Sequence, residues 1–385
     1  MGPDLIKIST TQYRIKLVLG KWFLSPIITK SYEVKRYVAY PEGMKLEYFP
    51  DSYRLMVRFN IPKLLYGDNM IPAMCFNFNH LTTTLNDVLH NYVEFYDITD
   101  DENRSRLQPK YHDWTCNEIE YSVDIPVPEN LISPYISAIK KVQLSRKEKD
   151  TYEDETTSVY HQSSDDHRKS GIRNIVYNKL EERKRQLPED KLLNAVSLTT
   201  LQPGESLLRF EVRFRRRAIT YRSGSTRTTV KHGELIEISS KRDPQFDRFI
   251  EAVRYERQIR VMKRFLSDYH LNLPIKTKRD LFKAVKDSSR STKYKDGVLK
   301  TIEFLNGTRK RQPFNPDTTT RHRKFILSLG IHYIYSDIEL PPLTLEYALS
   351  RITMFEQEQI RQYKILEAAT GYSSSQTQNS SLSLI

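Results

Sequence analysis

The sequence predicts an α+β fold: an N-terminal domain built on an antiparallel β-sheet with flanking helices, followed by a mainly helical C-terminal domain. Three observations carry this. Stretches with apolar/polar alternation recur up to about residue 240, and beyond Lys241 the apolar residues fall instead at helical spacing. The chain has 385 residues, 38% hydrophobic and 11% aromatic, which is enough to bury a sizeable core in two or three units. The reading is therefore a first domain over 1–240, a helical one over 241–370 and a disordered polar tail over 371–385.

Residues 1–80 read as β-structure. In SYRLMVRFNIP, Tyr53, Leu55, Val57, Phe59 and Ile61 alternate with Arg54, Met56, Arg58 and Asn60, and Pro62 ends the ladder. Tyr66-Gly67-Asp68-Asn69 is a turn signal, and MCFNF reads as a second strand. A helix follows, with Leu85, Val88, Leu89 and Tyr92 at helical spacing behind capping threonines. CNEIEYSVDI places Ile119, Tyr121, Val123 and Ile125 on one face and Glu118, Glu120, Ser122 and Asp124 on the other. Ser133-Pro134 marks a helix start, with Ile136, Ile139 and Val142 as its apolar stripe. Residues 145–171 are polar, poor in aliphatics, and read as a loop. RNIVYNKLEERKR runs from strand to helix start with Tyr177 at the changeover, and alternation gives Arg173, Ile175, Tyr177 and Lys179 one face. In SLLRFEVRFRRRAITY, Leu208, Phe210, Val212 and Phe214 oppose Arg209, Glu211, Arg213 and Arg215. Tyr53 and Tyr121 fall on apolar faces and belong to the core.

Charge and motifs narrow the function. Net charge is +13 and the pI about 9.4, a balance that favours polyanions through phosphate contacts. Cys75 and Cys116 form no CxxC or Cys/His cluster, so neither a disulfide framework nor structural zinc is expected. There is no secretory leader pattern and no apolar run near the roughly 20 residues a bilayer span needs, so a cytoplasmic protein without membrane partners is expected. A P-loop, G-x-S-x-G, H-x-H and HExxH are all missing.

A solvated sheet face accounts for polarity and for some Glu–Arg pairing across strands. It does not account for strands that concentrate Glu118, Glu120, Asp124 and Glu211 near one that carries Tyr177 and Lys179. Those residue types fit metal-assisted phosphoryl transfer by a tyrosine. A phenol with a pKa of about 10 is a poor nucleophile at neutral pH; a neighbouring cation such as Lys179 lowers that pKa, and a neutral lysine can take the proton. Carboxylates suit Mg²⁺ or Mn²⁺, which polarise a scissile phosphate. The run Arg209, Arg213, Arg215, Arg216, Arg217, Arg222 and Arg227 reads as a phosphate-tracking groove, with Arg58, Lys63 and Arg173 as further DNA contacts.

Four blocks in order give a family resemblance: VRFNIPKLLYGDNM (57–70), NEIEYSVDIPV (117–127), NIVYNKLEER (174–183) and LLRFEVRFRRR (207–217). Over about 53–220 the chain resembles the replication initiators of the filamentous-phage gene II type, from phages and plasmids, and more distantly the plasmid rolling-circle initiators. The resemblance implies nicking of one strand at an origin, a 5′-phosphotyrosyl intermediate, later rejoining, and host helicase and polymerase as partners. In its Y-x-K-x-x-E pattern Tyr177 is the nucleophile, Lys179 its activating neighbour and Glu182 the acidic position, while Glu211 matches the acid of the R-F-E block. Such proteins carry Asp where this chain has Glu120, so Glu120 and Asp124 both stand, with Glu182 and Glu211, as candidate metal ligands. Two other readings remain: a DNA-binding regulator that does not cut, and a relaxase or transposase with the same tyrosine chemistry.

Overall fold

The computed structural model describes residues 2–351 apart from 29–32, 42, 67–77, 100–104, 143, 145–147, 151–157, 163–170, 189–200, 217, 220–226, 232–233 and 239–246. The first half contains β1 (Gly2–Thr10), β2 (Tyr13–Leu17), β3 (Phe23–Leu24), β4 (Ile27–Ile28), β5 (Glu33–Val34), β6 (Tyr37–Ala39), β7 (Met44–Phe49), β8 (Arg54–Asn60), α1 (Ile61–Tyr66), α2 (Phe78–Leu89), β9 (Val93–Asp97), β10 (Arg106–Leu107), β11 (Thr115–Pro128) and α3 (Glu129–Lys141). There follow β12 (Glu148–Asp150), β13 (Ser158–Gln162), β14 (Ile172–Asn178), α4 (Lys179–Lys184), β15 (Glu205–Arg215), β16 (Arg227–Lys231) and β17 (Glu234–Ile238). The chain then turns helical through α5 (Phe249–Ala252), α6 (Tyr255–Asp268), α7 (Lys278–Asp287), α8 (Thr292–Leu305), α9 (Pro316–Ser328) and α10 (Leu345–Ser350). The α+β expectation holds.

A ten-stranded sheet in the order β12-β13-β14-β15-β11-β1-β8-β7-β6-β3 organises the molecule. Its pairings are antiparallel, so each strand keeps one apolar and one polar face in register with its neighbours. Ile6 and Ile8 of β1, Val57 and Phe59 of β8, Ile119, Tyr121 and Val123 of β11, and Phe210 and Phe214 of β15 are all buried. Helices cover this apolar face: α3, α5, α6 and α10 all pack on β11. On α6 the buried residues are Gln258, Met262, Phe265 and Leu266, the i, i+4, i+7, i+8 stripe of an amphipathic helix. Each such apolar side chain contributes about 1.5–3 kcal/mol when fully buried. The Tyr121 hydroxyl donates to the Ala252 carbonyl at 2.7 Å, and Phe210 meets Phe265 edge to face at 5.9 Å. A single apolar core thus runs from Ile6 to Ala348, shared by the sheet and the C-terminal helices.

Local expectations fail where tertiary contacts outweigh pattern. Tyr53, expected in the core, closes the turn Pro50–Ser52 at φ 50° and is 42% exposed; β8 begins one residue later. Pro62 does end the ladder, but as the second residue of α1, where a missing N–H is harmless. Helix α3 starts at Glu129, four residues before Ser133, because β11 turns directly into it at Pro128; Pro134 lies inside the helix. Segment 145–171 is not all loop: β12 and β13 extend the sheet beyond β14, with Val159 and His161 buried. The predicted strand MCFNF lies outside the described residues except Phe78, which opens α2. The Tyr66–Asn69 turn, apart from Tyr66, and the tail over 371–385 also lie outside them.

One core histidine carries a pH prediction. His332 is 0% exposed; its Nδ1 accepts the Ile334 N–H at 2.9 Å, and its Nε2 donates to the Tyr269 carbonyl at 3.0 Å. Both nitrogens serve a neutral ring, and burial pushes its pKa down to about 4. The unfolded chain takes up this proton near pH 6.5, well before the folded one. Stability is therefore expected to be full above about pH 6.5 and to decline toward pH 4, by up to about 3 kcal/mol. Urea unfolding at pH 7 and 4.5 checks this, and His332→Asn should flatten the slope. An unchanged slope would rule this histidine out.

Candidate active site

Strand β14 ends at Asn178, whose side-chain carbonyl caps α4 by accepting the Glu181 N–H at 3.2 Å and also accepts the Ser206 hydroxyl at 2.9 Å. Glu181 and Glu182 in the first turn suit the positive end of the helix dipole. This switch from strand to helix fixes Tyr177 as the last polar-face residue of β14. Opposite it on β15 is Arg209, and Glu211 pairs with Ile175 one step away on the same face. The half-buried Tyr177 hydroxyl donates to Glu211 Oε1 at 2.5 Å. Burial, and then the negative charge of Glu211, push the Tyr177 pKa well up; Arg209 opposes them. The phenol is therefore firmly protonated as it stands.

Lys179 is not on the tyrosine's strand face. As the first residue of α4 it turns inward and is 1% exposed. Its Nζ bonds Glu182 at 2.7 Å and sits 5.8 Å from the centre of the Tyr177 ring. Burial and the Arg209 charge push its pKa down, with Glu182 opposing.

Three buried carboxylates converge beside Tyr177. Asp4, Glu120 and Glu211 each offer an oxygen, and these oxygens lie within 4.8 Å of one another. They come from adjacent strands β1, β11 and β15. Asp4 reaches the cluster through a β-bulge: Pro3 pairs with Tyr121 and Leu5 with Glu120, so Asp4 is the extra residue. Burial, then Glu120 and Asp4, raise the Glu211 pKa to about 8. Burial likewise raises that of Glu120, which Arg213 only partly offsets. Asp4 Oδ2 accepts from Arg209 at 3.0 Å, but its Oδ1 is buried with no hydrogen-bond partner, and so is Ser122 Oγ nearby. Mutually repelling buried carboxylates with an orphaned oxygen are the donor set a hard divalent cation satisfies, so the residues fit Mg²⁺ or Mn²⁺.

Of the four metal ligands expected from sequence, Glu120 and Glu211 are in this cluster. Asp124 is not: Arg209 grips it with two bonds of 2.5 and 2.6 Å. Burial works against the Asp124 charge, but Arg209 outweighs it and holds the carboxyl low. Glu182 pairs with Lys179 instead. Asp4 was missed, though its sequence carried a signal: period two in PDLIKIST puts it on the face of Ile6 and Ile8. A carboxylate there demands either a bulge or a buried partner, and the chain uses both.

The arginines divide. Arg209 corrects its reading as a DNA contact: it is 0% exposed, and its N–H groups go to Asp124 and Asp4. Arg213 pairs with Glu120, and Arg215 lies 4.0 Å from Glu118. Arg58 and Arg173 are half-buried on β8 and β14, Lys63 is exposed on α1, and Arg216 is exposed while bonding Asn117. Arg217 and Arg222 lie outside the described residues, and Arg227 lies on β16.

A buried acidic cluster beside a tyrosine, on the polar face of an antiparallel sheet, forms the candidate site. Residues 25–234, more than half of the chain, match the family model for the N-terminal part of the replication-associated protein G2P. The chain belongs to this family of phage replication initiators. Glu120, Tyr177, Lys179 and Glu211 fall inside the matched span, and Asp4 precedes it. No curated protein and no solved structure gives a significant match. Among the described residues no helix is long and apolar enough to cross a membrane.

Proposed function

We propose that the protein nicks one strand of origin DNA with Tyr177, keeps the 5′-phosphate as a phosphotyrosine, and later rejoins the strand. The observation that carries this is the 2.5 Å hydrogen bond from Tyr177 to Glu211, a member of the three-carboxylate cluster. In the forward step Tyr177 Oη attacks the scissile phosphorus and its proton passes to Glu211 Oε1. The P–O3′ bond breaks, and the departing 3′-oxygen ends as a hydroxyl after taking a proton from solvent. Rejoining is the reverse, with that hydroxyl attacking the phosphotyrosine. Glu211 Oε1 is already within hydrogen-bond reach of the proton it takes. A divalent cation held by Asp4, Glu120 and Glu211 would polarise the phosphate and offset charge built up in the transition state. Lys179, braced by Glu182, sets a positive charge beside the ring and favours the phenolate as it forms. The free 3′-end then primes rolling-circle synthesis by host polymerase and helicase.

The direct test is transfer of a labelled 5′-phosphate from origin DNA to the protein, with the modified peptide identified. Label on Tyr177 supports the proposal, and nicking with no protein-bound label sinks it. Metal binding has its own test. Asp4→Asn keeps an oxygen for Arg209 but removes a charge from the cluster, so Mn²⁺ affinity should fall by about 100-fold and nicking with it. Unaltered Mn²⁺ binding in calorimetry would move the metal elsewhere.

A further inference from the structure

The excess positive charge of the chain is concentrated in one segment of sequence, which contributes no residue to the tyrosine site. Residues 276–324 contain 15 Lys and Arg against 5 Asp and Glu, a net of +10, and the other 336 residues carry 46 against 43, a net of +3. This segment forms α7, α8 and α9, with α8 packed against both others. Leu281, Val285, Val298, Ile302 and Ile326 anchor the three helices in the core, and most of the lysines and arginines in this segment are exposed. On α7, Arg279, Lys283 and Lys286 are exposed at i, i+4 and i+7 and form one stripe. They line a groove of about 640 Å³ together with Lys278, Phe282 and Asp287. Among the described residues, neither Lys283 nor Lys286 has an ion-pair partner.

We propose that the α7–α9 face is a second DNA-binding surface, which grips the phosphate backbone of duplex DNA independently of the tyrosine site. Three observations select that occupant. Like charges crowded this closely repel one another until a polyanion neutralises them. No large apolar side chain in 276–324 is among the exposed ones, so the face has neither a stacking platform for unpaired bases nor a wedge for a lipid surface. The nearby rings are already covered by cations: Lys278 lies 5.4 Å from Phe282, and Arg290 lies 5.8 Å from Tyr294 and 5.6 Å from Phe325. What remains is a charge comb suited to holding an origin duplex while its strand is cut elsewhere on the molecule. The surface shares no residue with the tyrosine site and does not depend on the nicking chemistry.

The test is fluorescence anisotropy of the full chain with a short DNA duplex of arbitrary sequence, in EDTA, over a salt series. The combined variant Arg279→Ala, Lys283→Ala, Lys286→Ala should bind about tenfold or more weakly and lower the log–log salt slope by roughly 2–3. A control of equal charge loss on the sheet side, Lys16→Ala, Lys21→Ala, Lys35→Ala, should keep both. An unchanged affinity in the first variant, or an equal loss in both, overturns the proposal. So does a variant that loses poly-glutamate binding while holding the duplex as before, since the face would then serve an acidic protein. Because nothing is cleaved in EDTA, a protein that never forms a tyrosine adduct would still pass or fail here on its own terms.

Discussion

Tyr177→Phe is expected to abolish the covalent protein–DNA adduct and to lower origin nicking by roughly 10³-fold or more, as loss of an enzyme nucleophile does. The substitution is conservative. The ring and its contact with Lys179 at 5.8 Å remain, and only the hydroxyl that donates to Glu211 is lost. Stability should change by about 1 kcal/mol, the net worth of an ordinary hydrogen bond. A folded variant with duplex binding intact and no adduct would separate chemistry from binding. If the variant still nicks supercoiled origin DNA, another nucleophile is at work and the tyrosine mechanism fails.

Arg209→Met is expected to destabilise the protein by about 3–5 kcal/mol, the cost of leaving buried charge unpaired. Arg209 is fully enclosed between Asp124 and Asp4, and the flat guanidinium meets Asp124 through two bonds. Methionine fills similar volume and leaves two carboxylates without their cation. Arg209→Lys should recover only part of the loss, because a point charge cannot bond both oxygens side by side. The pH dependence has a definite sign. Arg209 holds the Asp124 pKa low against burial, so this contribution is present at neutral pH and lost as pH falls through the acid range. In the variant Asp124, buried and without its cation, takes up a proton more readily, so the gap from wild type should narrow between pH 7 and 4. Urea unfolding of the three proteins measures all of this. A loss under about 1 kcal/mol, coupled with weaker DNA binding, would restore Arg209 to the DNA-contact role that its sequence suggested.

The contrast between Arg209 and Arg213 and their sequence reading shows where pattern stops. Both alternate with apolar residues and belong to an arginine-dense run, which reads as a solvated, phosphate-facing strand. Alternation reports only which face a side chain takes. It does not report whether that face meets water or a row of acids on the next strand. The pairing of β11 with β15 sets Asp124 opposite Arg209 and Glu120 opposite Arg213, and this register turns surface-like arginines into counter-ions. The same limit explains Asp4 and Lys179. Each was displaced from its periodic position by a local break, a bulge in one case and a helix start in the other.

The sequence by itself determined the α+β class, the faces of β8, β11, β14 and β15, the strand-to-helix switch at Tyr177 and the family. The first three follow from period, capping and local order along each stretch of chain, and the family from four motif blocks in order. Tertiary structure alone decided which acids form the cluster, because Asp4, Glu120 and Glu211 are far apart in sequence and meet only when β1 inserts between β11 and β8. It also decided that the C-terminal helices share the core of the sheet. Side-chain period is fixed by backbone geometry, but strand order and register are fixed by the burial of the whole apolar face, to which every strand contributes at once.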